Sequence, residues 1–323
     1  DSAGLAIRDG DEPAQVVKAV GKLRNLAEKT DGGAALAGCC GIGHTRWATH
    51  GAPSLINAHP HVSGSGVSSG SDAVESQVVG VHNGIIENCS ELKAKLERHG
   101  YTFYSDTDTE TAVKLVDYYY KKYKLGPVDA LTRAMVRIQG SYALALMFQD
   151  YPGEIFAARK DSPMILGVAE GETYLASDVP AILNDTRNVY YIGNQQAARL
   201  SPGEIHFYDL NGDEVELPLT EITWDAQAAE KGGFQHFMLK EIHEQPAAVG
   251  HPEQSAEGRP DRPVRGGADG GGPPVRLVHP YRGLRLRLAC GGGGPVRPGG
   301  AGGGPRPGGA GLRVSLPQAA AGR

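Results

Sequence analysis

No run of about 18 apolar residues occurs in the 323-residue chain, so no segment is long enough to cross a bilayer as a helix. No basic-then-apolar leader opens the chain, and the expectation is a soluble, cytoplasmic protein with no membrane partner. Cysteine is scarce. Cys39, Cys40, Cys89 and Cys290 have neither the paired spacing of a metal site nor the density of a secreted disulfide scaffold, which predicts reduced thiols. Lysine is missing altogether from residues 250–323, where 11 Arg stand against 4 acidic residues, a net charge of +7. The same stretch holds 21 of the 46 Gly and 11 of the 21 Pro, and it lacks apolar periodicity. It cannot offset the entropy of ordering its backbone and reads as a disordered tail. A shifted reading frame in a GC-rich gene accounts for that composition, the alternative being an Arg/Gly tail that binds RNA. Residues 1–249 then carry 21 basic and 33 acidic residues, a net of −12, and no nucleic-acid partner is expected for them.

What is present follows helical and strand grammar in turn. Ser2–Ile7 reads as a short strand, whereas from Val16 to Lys29 the two periods compete, with a helical end around Leu23 and Leu26. Val62–Gln77, rich in Ser and Gly, reads as a flexible connector. Val78, Val79 and Val81 then predict a short buried strand that delivers Asn83-Gly84 at its end. Ser90 is a candidate N-cap for a helix through His99, with Leu92 and Leu96 on one face and Gly100 as the stop. Thr107 and Glu110 form a capping box before the apolar stripe Ala112, Leu115, Val116, Tyr119. A third helix is predicted from about Pro127 to Gln139, ended by Gly140. Strands follow over Tyr142–Phe148, Glu154–Ala158, Met164–Val168, Thr173–Ala176, Asn188–Ile192 and Ile205–Asp209, then an Asn211-Gly212 hairpin turn. Helices followed by many strands predict an α+β domain with helices packed on antiparallel sheets.

The polar loops between these segments are where binding and catalysis are usually placed. Gly43-His44-Thr45-Arg46-Trp47-Ala48-Thr49-His50-Gly51, Asn57-Ala58-His59-Pro60-His61, His82-Asn83-Gly84 and Thr107-Asp108-Thr109-Glu110 together resemble the glutaminase domain of the glutamine–fructose-6-phosphate aminotransferase family, over roughly residues 1–249. That resemblance implies a four-layer α/β/β/α N-terminal-nucleophile hydrolase fold. It also implies glutamine as the ligand, no cofactor and no metal. By the match, Arg46 holds the α-carboxylate of glutamine, a task suited to a planar fork of donors. Asp108 holds the α-ammonium, Trp47 covers the pocket, and Thr49, His50 and Gly51 belong to a mobile loop. His59 lines the pocket, and Asn83 with the Gly84 N–H forms an oxyanion hole. Locally each has a plainer reading: Arg46 as a solvated charge, Trp47 as a half-buried core aromatic, Asp108 as a helix-dipole partner, Asn83-Gly84 as a turn. His44, His50, His59, His61 and His82 lack the spacing of a zinc site.

The family's nucleophile is an N-terminal cysteine whose own amine serves as base, and Asp1-Ser2-Ala3-Gly4 matches a segment that follows it. The expectation is therefore a fold incomplete at its N-terminus and inactive as it stands, with Cys40-Gly41-Ile42 a decoy because an internal cysteine has only an amide nitrogen there. Lys240-Glu241-Ile242-His243-Glu244-Gln245-Pro246 resembles the hinge to a sugar-isomerase domain. The expected organisation is a glutaminase domain over 1–230, a hinge over 231–249 and the tail. Fructose 6-phosphate would be met only through the isomerase domain, through which the family commonly dimerises. The alternatives are a glutamine-binding module without catalysis and the glutaminase domain of another class II amidotransferase, such as those of purine or asparagine synthesis.

Overall fold

The computed structural model describes residues 1–48, 50–64, 77–223, 233–234 and 236–250. Asp1–Ile222 form one compact unit. Its seven-stranded antiparallel sheet runs β13-β12-β11-β7-β6-β5-β4. The strands are β4 (His61–Val62), β5 (Val78–Ile86), β6 (Gly140–Phe148), β7 (Ile155–Lys160), β11 (Gln196–Ser201), β12 (Glu204–Tyr208) and β13 (Glu214–Val215). Facing it lie a three-stranded sheet, β2-β1-β3, and a four-stranded one, β14-β10-β8-β9. These contain β1 (Ser2–Arg8), β2 (Gln15–Val20), β3 (Cys40–Arg46), β8 (Ile165–Ala169), β9 (Glu172–Ala176), β10 (Asn188–Tyr191) and β14 (Thr220–Glu221).

The layers follow from side-chain alternation. On β6, Tyr142, Leu144, Leu146 and Phe148 enter a core shared with α2 (Cys89–Glu97), α3 (Asp108–Tyr123) and α4 (Pro127–Arg137). Ala143, Ala145 and Met147 point the other way, into a core with Ala6, Val16, Ile42 and Leu166 of the facing sheets. Because both faces of the strand are covered, its sequence is an unbroken apolar run rather than an alternation. The outer face of the three-stranded sheet packs Ala3, Leu5, Ile7 and Val17 against Leu26 of α1 (Leu23–Lys29). The architecture is the four-layer α/β/β/α arrangement. The competing periods between Val16 and Lys29 resolve into β2 followed by α1.

Several boundaries move. β5 continues to Ile86, so Asn83-Gly84 lies within the strand and not at its end; pairing with β6 through Ile86↔Gly140 holds it extended. Ser90 is not the N-cap of α2: Asn88 occupies that position, and its side-chain amide instead donates to Arg137 O and accepts from Gln139 N. Gly140 opens β6. Thr107 caps α3 as expected, accepting from Glu110 N at 3.4 Å, a contact worth about 1 kcal/mol. The capping box is only half formed, because the Glu110 carboxylate turns to Tyr104 N and Ser105 N. His61–Val62 forms β4, which trims the expected connector; residues 65–76 lie outside the described residues. Strands β11, β13 and β14 were not foreseen, and residues 43–46, expected in a polar loop, are the second half of β3, held extended by pairing with β1. The hairpin turn at Asn211-Gly212 joins β12 to β13, with Asp209 accepting from Asn211 N and Asp213 N. Separately, residues Phe237–Gly250 form a helix, α5. The tail from 251 onward lies outside the described residues. Among the described residues no helix is long and apolar enough to cross a membrane.

Candidate functional site

Arg46 is the last residue of β3, and its side chain points, like that of Ile42 four residues earlier, between the sheets. It is buried, and its guanidinium donates to the carbonyl oxygens of His50, Gly51 (2.9 Å) and Ala52 (3.4 Å). The fork thus gathers the following loop around itself. Burial lowers the Arg46 pKa, opposed by the nearby Asp108 carboxylate. Asn83 points into the same space from β5, since Val79 and Val81 on the same face belong to the inter-sheet core.

Asp108 arrives from the helix layer as the first residue of α3. Its Oδ2 accepts from Ile86 N at 2.9 Å, which docks the helix N-terminus on the end of β5. The same oxygen lies 3.8 Å from His82 Nδ1 and 3.9 Å from His50 Nδ1. The dipole reading and the binding reading of Asp108 are compatible, because the carboxylate faces the strand end and the imidazoles as well as the helix axis. Arg46, His50, Gly51 and Asp108 therefore meet at the end of β3, with Asn83 and Gly84 on the later part of β5. Trp47 is 68% exposed, which rules out the core-aromatic reading. Thr49 lies outside the described residues.

His59, expected by resemblance to line the pocket, belongs to a buried imidazole cluster whose spacing in the sequence does not suit zinc. Its Nε2 lies 3.0 Å from Thr109 Oγ1, and His82 Nδ1 lies 3.2 Å from the same hydroxyl. His61 spans Thr107 Oγ1 (3.0 Å) and Tyr104 OH (3.1 Å). The rings of His44 and His59 are 4.5 Å apart, those of His59 and His61 5.2 Å. Desolvation pushes His44 down to about 3 and holds His59 and His61 well below the usual imidazole range. His82 is lowered by the same burial, with Asp108 pulling it back up. At neutral pH these rings are uncharged scaffolding that ties the His59-Pro60-His61 segment to the start of α3. Glu110 anchors the far side, accepting from Ser105 Oγ at 2.6 Å and pairing with Lys114 at 3.2 Å. Among the described residues no group of three or more His, Cys, Asp or Glu is arranged to hold a metal ion.

Neither Cys40 nor Cys89 suits attack on an amide. Cys40 is buried in the inter-sheet core six residues before Arg46, which along a strand is about 20 Å away. Cys89 opens α2 closer to Asp108, but burial and that carboxylate raise its pKa, which keeps it a thiol.

Gly84 has φ of 141°, and a Cβ there would stand 2.1 Å from Ser141 O and 3.0 Å from Ser162 Oγ. Gly84→Ala is expected to cost about 2–4 kcal/mol of stability, combining backbone strain with overpacking. Urea unfolding of the two proteins measures it, and a loss below about 1 kcal/mol would mean that the strand shifts freely.

This fold and this constellation define a class II glutamine amidotransferase domain. A family model described as a glutamine amidotransferase domain matches residues 66–184. The chain is 48% identical over 249 residues to the glutamine–fructose-6-phosphate aminotransferase (isomerizing) of Clostridium acetobutylicum, and 47% identical over 252 residues to that of Caldanaerobacter subterraneus. Each match covers 77% of this chain and 38% of the relative, so the chain spans about two fifths of their length. A solved structure of glutamine phosphoribosylpyrophosphate amidotransferase from B. subtilis has the same fold, with a TM-score of 0.51, 19% identity, and coverage of 66% of this chain and 44% of that one. Within the class, the domain belongs to the glutaminase domains of the glutamine–fructose-6-phosphate aminotransferase family.

Proposed function

We propose that residues 1–230 bind glutamine between Arg46 and Asp108 and form the glutamine-hydrolysing half of a cytoplasmic enzyme that makes glucosamine 6-phosphate from fructose 6-phosphate. The observation that carries this reading is that a guanidinium at the end of β3 and a buried carboxylate at the start of α3 lie close to one another, with the Asn83-Gly84 pair on the neighbouring β5, from elements far apart in sequence. Arg46 meets the α-carboxylate, Asp108 the α-ammonium, and Asn83 with the Gly84 N–H the oxygen that becomes negative as a thiolate adds to the side-chain amide. Trp47 and loop residues 49–51 close over the ligand, and His59 supports the floor. Ammonia then passes to a sugar-isomerase domain that follows a hinge over residues 231–249, and that domain also carries the dimer contact. No cofactor or metal takes part in this scheme. The identity to the aminotransferases disfavours an amidotransferase of purine or asparagine synthesis.

Glutamine titrated calorimetrically into the chain, beside an ammonia-release assay, separates an enzyme from a binding module. In protein extended to carry a free N-terminal cysteine, Arg46→Lys is expected to weaken glutamine binding about tenfold to hundredfold, because a point charge replaces the fork. It also loses the hold on the 50–52 carbonyls. Asn83→Ala is expected to lower turnover about 10²–10³-fold at nearly unchanged affinity, as befits a donor to the transition state. Equal losses of affinity in the two variants would mean that the roles are misassigned.

A further inference from the structure

The inner face of the three-stranded sheet carries a second polar feature, built on β2. Gly4 pairs directly with Lys18 on one side and with His44 on the other, so the three residues form one row across the sheet and project to the same face. A Cβ at Gly4 would stand 2.2 Å from His59 O, so the backbone of His59 sits on Gly4, between Lys18 and His44. Lys18, His44 and His59 each carry a side-chain nitrogen that is buried without a hydrogen-bond partner, Nζ in the lysine and Nδ1 in the two histidines. Lys18 as a whole is 6% exposed.

The groups that face Lys18 offer it no counter-charge: the neutral rings of His59 and His61 lie beside it, that of His44 stands across Gly4, and the cation Arg46 is one row further along β3. The nearest carboxylate, Glu110 on α3, is already filled by Tyr104 N, Ser105 N, Ser105 Oγ and Lys114. A buried ammonium with no counter-charge costs several kcal/mol, and it either loses its proton or acquires an anion. Burial alone brings Lys18 down to about 7, so both forms are within reach near neutrality.

We propose that Lys18, His44 and His59 form an internal site for one small inorganic anion of about chloride size, held by the Lys18 ammonium and by the Nδ1–H groups of the two imidazoles. The tautomers permit it. Thr109 has one hydroxyl proton for two imidazoles; when it donates to His59 Nε2, His59 carries its own proton on Nδ1, and His82 donates to Thr109 through Nδ1. Because the anion binds the ammonium form, its affinity rises as pH falls through about 7 and fades in alkaline solution. The site requires no glutamine, although it shares His59 with the floor of the pocket proposed above.

The test uses the full chain at pH 7 in sodium chloride and in sodium gluconate at equal ionic strength, gluconate being too bulky to enter. Chloride is expected to raise the thermal midpoint saturably and to give protein-dependent broadening of the ³⁵Cl resonance. Both effects should shrink at pH 9 and vanish in Lys18→Met. Equal midpoints in the two salts without ³⁵Cl broadening, the behaviour of a site that holds water, would overturn the proposal; so would a chloride effect that survives in Lys18→Met. Should that variant fail to fold, the comparison of ³⁵Cl broadening at pH 7 and pH 9 in the unaltered protein decides, and equal broadening at the two pH values counts against the site.

Discussion

Unfolded in urea at a series of pH values, the domain is expected to lose about 4 kcal/mol between pH 7.5 and pH 5.5, without any change in its ligand. The reason is the buried imidazole cluster. His44, His59 and His61 have folded pKa values far below 6.5, His44 at about 3, because burial disfavours the imidazolium. Above pH 6.5 both folded and unfolded chains hold these rings neutral, and this share of stability is complete. Below pH 6.5 only the unfolded chain takes up the protons, down to about pH 3 in the case of His44, so stability falls with pH by about 1.4 kcal/mol per pH unit for each ring. At pH 5.5 three rings give about 4 kcal/mol, a large part of the 5–15 kcal/mol that holds a typical domain together. His82 adds in the same direction by less, since Asp108 opposes its shift. Lys18 acts in a separate window, its contribution declining as pH falls from about 10.5 toward 7. His61→Gln should reduce the acid slope by about 1.4 kcal/mol per pH unit. Stability that stays flat from pH 7.5 to 5.5 would show that water reaches the rings.

The second large effect is all-or-none. The 323-residue chain is expected to release no ammonia from glutamine, whereas the same chain extended upstream by a family-like segment with a free N-terminal cysteine should do so. A pocket that positions glutamine and stabilises an oxyanion still requires a thiolate, and an α-amine with pKa about 7.7–8 beside a terminal thiol is a suitable base. Cys40 lies deep in the inter-sheet core and Cys89 has its thiol pKa raised, so neither supplies that thiolate. Cys40→Ala and Cys89→Ala in the extended chain should leave turnover within about twofold, since neither touches the reacting atoms. The added segment is also expected to stabilise the fold, because β3 and β9 are sheet edges whose residues are largely buried, and buried edge backbone gains from a strand partner. Ammonia release by the unextended chain that disappears on Cys40→Ala would reverse the argument and make Cys40 the nucleophile.

By itself the sequence determined the helices α2 to α4, most strands and the loops that carry chemistry, because these depend on periodicity, caps and turn residues within a few positions of one another. Arg46, Asp108 and the Asn83-Gly84 pair were legible for a different reason: their neighbours form motifs whose wording matches a family. Short strands such as β11, Gln196–Ser201, escaped, since Arg199 interrupts the apolar pattern and only its pairing with Glu154 of the neighbouring strand's approach makes it welcome there. The extent of β5 past Asn83-Gly84 was equally hidden, because a local Asn-Gly reads as a turn until β6 holds it straight. What tertiary structure alone decided is electrostatic. The places of His44, His59, His61 and His82 in the sequence say nothing of their charge, and Lys18 has no local mark that distinguishes it from the lysines on the surface. Folding places Gly4 between Lys18 and His44, seats His59 upon it and shuts out water, and desolvation then sets the protonation states, a property of the space around a side chain rather than of its neighbours in sequence.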